Sequence, residues 1–354
     1  MKISTAGRIC FFGEHQDYLG LPVIAAAISR RIEISGSKRT DDLIVIDMPD
    51  IGRVEQFSLT DVFPYKRERD YFRSVINVLK KRGFEFSVGF DCEVQGNIPI
   101  NSGTSSSSAL NVSWANFLAR MADNPAELST KTLGEIAYEA EVLEFGEPGG
   151  MMDQYSTAIG NVIYLESVPK IHVEALQPNL GTFVLGDSQQ AKDTLGILAR
   201  CRYGMEAIIE KVKQYDPTFS IFTTEAKKSP DYKAILTADE WGLFNANVSD
   251  RDILRAGKII LSQKNVDNEA FGRLLYEHHQ NLRDYKKTST SKIDRMIEAS
   301  LAVGALGAKI NGSGGGGCMY AYAPDNAQAV AEAIEREGGK AYIITVDDGT
   351  KEVQ

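Results

Sequence analysis

Apolar and polar positions change period several times along the chain, and each change predicts an element. Residues 3–12 alternate loosely and close on Ile9-Cys10-Phe11-Phe12, a buried strand running into the polar loop 13–20. Segments 23–28, 32–35 and 43–47 read as further strands. Residues 71–82 carry apolar side chains at 72, 75, 76, 78 and 79, one face of a helix. Segment 86–94 alternates as a strand does. Residues 96–108 are dominated by Gly, Ser, Asn and Pro, and they lead into a helix with the apolar stripe Leu110, Trp114, Phe117, Leu118 and Met121.

The second half continues the mixture. Helices are predicted over about 130–145 and from near Met151, and strands over 161–166 and 182–185. From about 190 helical spacing returns with Leu195, Leu198, Ala199, Met205, Ile208, Ile209 and Val212. Helices fit 268–284 and 291–304. A strand at Ala308-Lys309-Ile310, a glycine run, a strand over 318–323, a helix over 325–337 and a strand over 341–346 follow. Strands and helices mix without regular βαβ alternation, so the class is α+β. A chain of 354 residues fits about two domains, placed at 1–185 and 186–354. Stretch 218–250 receives no role; Phe219, Phe222, Trp241 and Phe244 read as core or lid packing.

Composition narrows the function classes. With 43% hydrophobic and 25% charged residues the chain is ordinary globular material, which excludes disordered, collagen-like and disulfide-scaffold classes. The longest plainly apolar run, 23–28, is far short of the ~20 residues a membrane helix needs. The first residues hold no signal-peptide apolar core, so a soluble, cytoplasmic protein is expected. Lys and Arg total 39 against 48 Asp and Glu, a net charge of -9, which argues against nucleic acid or an anionic membrane as partner. An anionic small ligand stays open, because one local pocket can oppose the global charge. Cys10, Cys92, Cys201 and Cys318 form no Cys-x-x-Cys pair and read as reduced thiols, suggesting neither zinc nor a disulfide framework.

Four segments hold candidate chemistry. Asn101-Ser102-Gly103-Thr104-Ser105-Ser106-Ser107-Ser108-Ala109 feeds a helix N-terminus, where unpaired N–H groups and the helix dipole suit phosphate. It is no Walker A loop, since no Gly-Lys-[Ser/Thr] follows; a serine-rich loop with one capping residue is the other reading. Asn311-Gly312-Ser313-Gly314-Gly315-Gly316-Gly317-Cys318 lies between two strands, and its glycines let a phosphate or another main chain approach. Gly13-Glu14-His15-Gln16-Asp17-Tyr18 crowds donors and acceptors into one loop, as recognition of a buried polyol requires, though His15 on its own reads as a loop histidine. Finally, Glu141 sits on the 130–145 helix, and Asp153 follows two glycines and two methionines, an apolar setting for an acid. Serving the dipole of a helix N-terminus is the plainer role for Asp153.

Taken in order, these segments resemble the GHMP kinase superfamily (galacto-, homoserine, mevalonate and phosphomevalonate kinases), and within it the galactokinases. The likeness rests on Gly7-Arg8-Ile9 with Gly13-Glu14-His15-Gln16-Asp17-Tyr18, in which Gln16 replaces the family's usual Thr. It rests also on Gly96-Asn97-Ile98-Pro99-Ile100 with 103–109, on Pro148-Gly149-Gly150-Met151-Met152-Asp153-Gln154, and on 312–318. Weaker likeness extends through Arg255-Ala256, Phe271-Gly272-Arg273-Leu274 and Asn281-Leu282-Arg283-Asp284.

The resemblance implies a ribosomal-S5-like N-terminal domain, a ferredoxin-like C-terminal domain, and ATP with Mg2+ as cofactors. ATP would lie along Gly103, Thr104, Ser105, Ser106, Ser107 and Ser108. Asp153 would be the catalytic carboxylate, as base or as stabiliser of developing charge, and Arg8 would neighbour it. Glu141 and Ser107 would hold Mg2+, with Ser106 the near-equal choice to Ser107. Glu14, His15 and Asp17 would bind sugar hydroxyls, with Gly150 offering backbone.

Three departures bear on the substrate. Thr104 stands where the family usually has Leu, and 312–318 is closer to the mevalonate kinase form. No residue in 190–206 matches the tyrosine that galactokinases set against the sugar; Tyr203 is out of register, while Gly186-Asp187-Ser188-Gln189-Gln190 offers polar groups. The expected activity is phosphorylation of the anomeric hydroxyl of galactose or a close relative. A mevalonate-type kinase and a non-catalytic ATP and sugar sensor are the alternatives, and the oligomeric state is left open.

Overall fold

In the computed structural model, which describes residues 1–100, 102–191 and 194–353 (Thr194 and Leu195 by backbone only), two sheets share one interior. Asn101 of the serine loop and the Leu195 side chain of the predicted stripe therefore lie outside the described residues. β1 (Lys2–Phe12) pairs antiparallel with the 16-residue β2 (Val23–Lys38), so the two strands predicted at 23–28 and 32–35 are one. β3 (Leu43–Met48), β4 (Arg53–Ser58) and β5 (Phe90–Gly96) continue the sheet, and β6 (Val162–Glu166) and β7 (His172–Leu176) branch from β2. β8 (Phe183–Asp187), β9 (Gly307–Ile310), β10 (Cys318–Tyr322) and β11 (Lys340–Ile344) form a second sheet in the order β11-β8-β10-β9. β12 (Lys351–Glu352) returns to β1 and completes the eight strands of the first sheet.

Pairing is antiparallel except between β3 and β5, which makes the fold a mixed α/β one with two sheets and agrees with the α+β class. The expected boundary at 185 falls inside β8, all of which pairs with β10 and β11.

Nine helices among the described residues pack on these sheets: α1 (Tyr71–Lys81), α2 (Ser106–Met121), α3 (Thr130–Tyr138), α4 (Met152–Ile159), α5 (Thr194–Tyr215), α6 (Ala238–Leu261), α7 (Asn268–Asp284), α8 (Ser291–Ala302) and α9 (Ala327–Arg336). Two departures from the sequence reading matter. The helix predicted over 130–145 ends as α3 and passes into a π turn, Glu139–Leu143. The unassigned stretch holds most of α6, whose start is a capping box between Thr237 and Glu240. Phe219 and Phe244 are buried in the core that α6 shares with α5, Trp241 packs against it, and Phe222 is exposed.

β1 explains how the halves meet. It is buried on both faces, hence its nearly continuous apolar end. Ile9 and Phe11 join a cluster with Phe183, Phe271, Tyr320 and Tyr322, while Cys10 joins Met152, Tyr155 and Ile163 on the other side. Phe11 stacks on Phe183 at 5.5 Å and meets Phe271 edge-on at 5.1 Å. Each large apolar side chain buried there contributes roughly 1.5–3 kcal/mol. The end of β1 is thereby fixed where the two sheets converge, and the functional loop follows directly from it. All four cysteines are buried. Among the described residues no helix is long and apolar enough to cross a membrane.

Candidate active site

The β1–β2 register shifts between Ala6 and Gly7, with the extra residues 29 and 30 on β2, and Arg8 on the far side of the shift meets the serine loop. Arg8 N–H donates to the Thr104 carbonyl at 3.1 Å. Its side chain, 3% exposed, donates to Asp153 Oδ1 from Nε at 2.9 Å and from Nη2 at 2.6 Å, and from Nη1 to the Gly103 carbonyl. Burial works against the guanidinium charge, but Asp153, first by its charge and also by its hydrogen bonds, together with Cys10 and Glu14 outweighs it and raises the Arg8 pKa. Asp153 lies in the first turn of α4 without capping it by its side chain, and remains one-third exposed to the cleft.

The serine loop is built to present N–H groups. Gly103 (φ 88°) and Ser105 (φ 58°) are both left-handed, a geometry that curls successive main-chain donors toward one side. Ser105 precedes α2 but its side chain makes no capping bond, and among the described residues its buried hydroxyl has no hydrogen-bond partner, so Ser105 does not serve as the capping residue. The glycine run packs directly on this loop. Asn311 Nδ2 donates to the Gly103 carbonyl at 2.8 Å, Asn311 Oδ1 accepts from Cys10 N at 2.9 Å, and Cys318 N–H donates to the Ser102 carbonyl at 2.7 Å. Gly314, Gly315, Gly316 and Gly317 all have positive φ, and the main chain of Thr288 and of Ala191 lies where a side chain at Gly314 or Gly316 would stand. Ser105, Ser106 and Ser107 line the cleft beside Gly103, whereas Thr104 and Ser108 do not. The Thr104 hydroxyl turns under the loop, 2.9 Å from Ser102 Oγ and 3.3 Å from the Pro99 carbonyl, and Ser108 Oγ accepts from Gln154 at 3.4 Å.

Glu141 lies on the π turn, a local widening of the helix that is frequent at functional sites. Gln154 Nε2 donates to its Oε2 at 2.7 Å. Burial pushes the Glu141 pKa up, and hydrogen bonds from Ser107, Gln154 and Ser108 pull against that rise. A buried carboxylate beside a serine hydroxyl on a phosphate-type loop is a hard-oxygen donor set, and it fits Mg2+, which takes one or two carboxylates and completes its shell with phosphate and water.

The first loop supplies the opposite wall. His15, left-handed at φ 61°, has Nδ1 3.1 Å from Tyr18 Oη and Nε2 3.0 Å from the Ser313 carbonyl. Asp17 Oδ1 accepts from Tyr18 N–H at 3.0 Å. Its other oxygen sits so close to Gly150 that an added Cβ there would lie 1.7 Å away. Burial, then the charge of Asp153, pushes the Asp17 pKa up to about 6. Glu14 also reaches the cleft wall, but its carboxylate is turned inward and paired with Lys309 of β9.

These groups enclose a cleft of about 700 Å³. Of the expected site residues, Arg8, Asp153, Glu14, His15, Asp17, Gly150, Gly103, Ser105, Ser106, Ser107 and Glu141 all line it. The structure adds Arg69, Tyr71 and Glu147, which no motif marked, and Leu198, which the sequence marked only as part of a helical stripe. Arg69 is paired with Glu147 at 2.6 and 3.0 Å. Tyr203 is 58% exposed and outside the lining.

Three family models match without overlap: the galactokinase galactose-binding signature over 2–38, the GHMP kinase N-terminal domain over 70–161 and the GHMP kinase C-terminal region over 262–341. A mevalonate kinase of Thermococcus onnurineus is 27% identical, covering 98% of this chain and 96% of its own. A galactokinase of Haemophilus influenzae is 26% identical, covering 99% and 94%. Among solved structures, Lactococcus lactis galactokinase complexed with galactose superposes with a TM-score of 0.85 at 21% identity, over 99% of this chain and 95% of that one. Methanococcus jannaschii mevalonate kinase gives 0.75 at 17%, over 98% of each. The fold is thus the one these kinases share, and the chain belongs to the GHMP kinase superfamily of ATP-dependent small-molecule kinases.

Proposed function

We propose that the protein transfers the γ-phosphoryl group of ATP to the anomeric hydroxyl of a sugar, galactose or a close relative, giving the sugar 1-phosphate and ADP. The observation that carries this reading is the convergence of His15, Asp17 and Gly150 on the Arg8–Asp153 pair in one cleft, with Arg8, His15 and Asp17 inside the segment matched by the galactose-binding signature. A sugar hydroxyl both donates and accepts, and that wall offers it carboxylate and main-chain groups.

Asp153 would lie beside the attacking hydroxyl and receive its proton, or stabilise the charge that develops on that oxygen. The new bond joins the sugar oxygen to the γ-phosphorus, and the bond from that phosphorus to the β,γ-bridging oxygen breaks. Arg8 would hold Asp153 in place and face the transferring group; Gly103, Ser105 and Ser106 would present N–H groups to the phosphates. Glu141 and Ser107 would hold Mg2+, which supplies charge neutralisation between the phosphates when bound. Catalysis on this scheme is positioning and electrostatics.

Mevalonate is the second reading, favoured by the 27% identical relative and by the form of the glycine run. It calls for a cation facing the substrate carboxylate. The two cations of the described lining, Arg8 and Arg69, already face Asp153 and Glu147, which ranks a neutral sugar first. The test is ADP release with Mg·ATP across a panel of free aldoses and mevalonate. Turnover of galactose or another aldose supports the proposal; turnover of mevalonate alone overturns it.

A further inference from the structure

Behind the first loop lies a set of buried charges that the proposed reaction does not use. Lys286, between α7 and α8, is 1% exposed; it pairs with Asp250 Oδ2 of α6 at 2.8 Å and donates to the Glu14 main-chain carbonyl at 3.2 Å. Asp250 Oδ1 accepts from Asn281 Nδ2 at 2.7 Å. On the other side Lys309 pairs with the Glu14 carboxylate and donates to the Cys10 carbonyl at 3.1 Å. His278 stands between, 3.6 Å from Glu14 and 3.7 Å from Asp250, and burial holds it well below its ordinary pKa, hence neutral. Two carboxylates and two ammonium groups balance.

Stability is a poor reason for this arrangement, because a buried ion pair exchanged for apolar side chains of similar volume is often neutral or stabilising. Its location suggests another. The carbonyl that Lys286 holds belongs to the Glu14–His15 peptide, and His15 is left-handed, a conformation that side-chain-bearing residues keep only where their surroundings enforce it. The same loop has a second tie to α6, from Gln16 Nε2 to the Asn247 carbonyl at 2.7 Å. Neither tie faces the cleft.

We propose that Lys286, oriented by Asp250, is a positioning residue for the acceptor site: it fixes the Glu14–His15 peptide and so the turn that presents His15 and Asp17. The inference rests on reading that loop as acceptor-binding. Lys286→Met by itself leaves Asp250 unpaired in the interior and is expected to fold poorly. The decisive variant is therefore the charge-balanced pair Lys286→Met with Asp250→Leu, compared with wild type in thermal unfolding and in steady-state kinetics. The acceptor is whichever member of the panel the wild type turns over fastest, mevalonate included. The expected result is a melting temperature close to wild type and an acceptor KM raised about 10- to 100-fold, the worth of one charged hydrogen bond, with the ATP KM within about twofold. An unchanged acceptor KM, or equal rises for acceptor and ATP, overturns the positioning role. If mevalonate proves to be the acceptor, the sugar reading falls, and the KM split still decides the role of Lys286.

Discussion

Both Arg8 hydrogen bonds to Asp153 end on one oxygen, Oδ1, and among the described residues no side chain bonds Oδ2. The arginine thus orients the carboxylate, and on the proposed scheme Oδ2 would face the attacking hydroxyl. Asp153→Asn keeps the shape and removes both charge and basicity. On the proposed scheme kcat falls about 100- to 10,000-fold, the usual worth of a general acid–base group. Nucleotide affinity, read by titration with Mg·ATP, stays within a few-fold of wild type. A variant that retained kcat would remove Asp153 from the mechanism.

Gly150 is predicted to act through Asp17. A methyl group at position 150 would lie 1.7 Å from Asp17 Oδ2, so Gly150→Ala must push that carboxylate off the wall. The acceptor KM should rise about tenfold or more, as loss of a charged hydrogen bond does, with the ATP KM unchanged. Separate saturation curves for the two substrates check this.

Asp17 also predicts a pH dependence. Its folded pKa of about 6 lies above the roughly 3.9 of an unfolded aspartate. Between those values the folded chain binds the extra proton, so this group's contribution to stability falls as pH rises from about 4 to about 6 and is flat outside that window. On the proposed scheme function runs the other way, since the ionised carboxylate is the stronger acceptor for sugar hydroxyls. The acceptor kcat/KM should therefore lose activity below about pH 6 in wild type, and Asp17→Asn should lack that limb. A limb of equal midpoint in the variant would assign it to another group.

Glu141 is expected to set the Mg2+ requirement. Glu141→Gln keeps the volume and removes the charge from the hard-oxygen set, so the Mg2+ concentration giving half-maximal rate should rise about tenfold or more. A Mg2+ titration at fixed ATP reads this directly, and an unchanged midpoint would place the ion elsewhere.

What could be read from the sequence divides along physical lines. Elements with one clean apolar stripe were legible: α7 spans the predicted 268–284, and α2 follows the stripe from Leu110 to Met121. α6 was not, because its buried positions include Asn247, Asp250 and Arg251, which break the stripe. Local motifs located the loops that meet at the cleft, since Gly103, Asp153 and His15 each sit in a distinctive segment. Pairings between distant residues left no mark. Nothing near Arg69 announces Glu147, nothing near Lys286 announces the Glu14 carbonyl, and the π turn that carries Glu141 ends α3 without a sequence signal.

The central claim is phosphorylation of an anomeric hydroxyl, and phosphorus NMR of the product tests it most directly. With galactose and Mg·ATP, the account predicts a new phosphomonoester signal coupled to the C1 proton, with ADP formed in equal amount and both formed at least about 100-fold more slowly with Asp153→Asn. Phosphate coupled to the C6 protons, or a phosphomonoester formed from mevalonate but from no sugar, would contradict it.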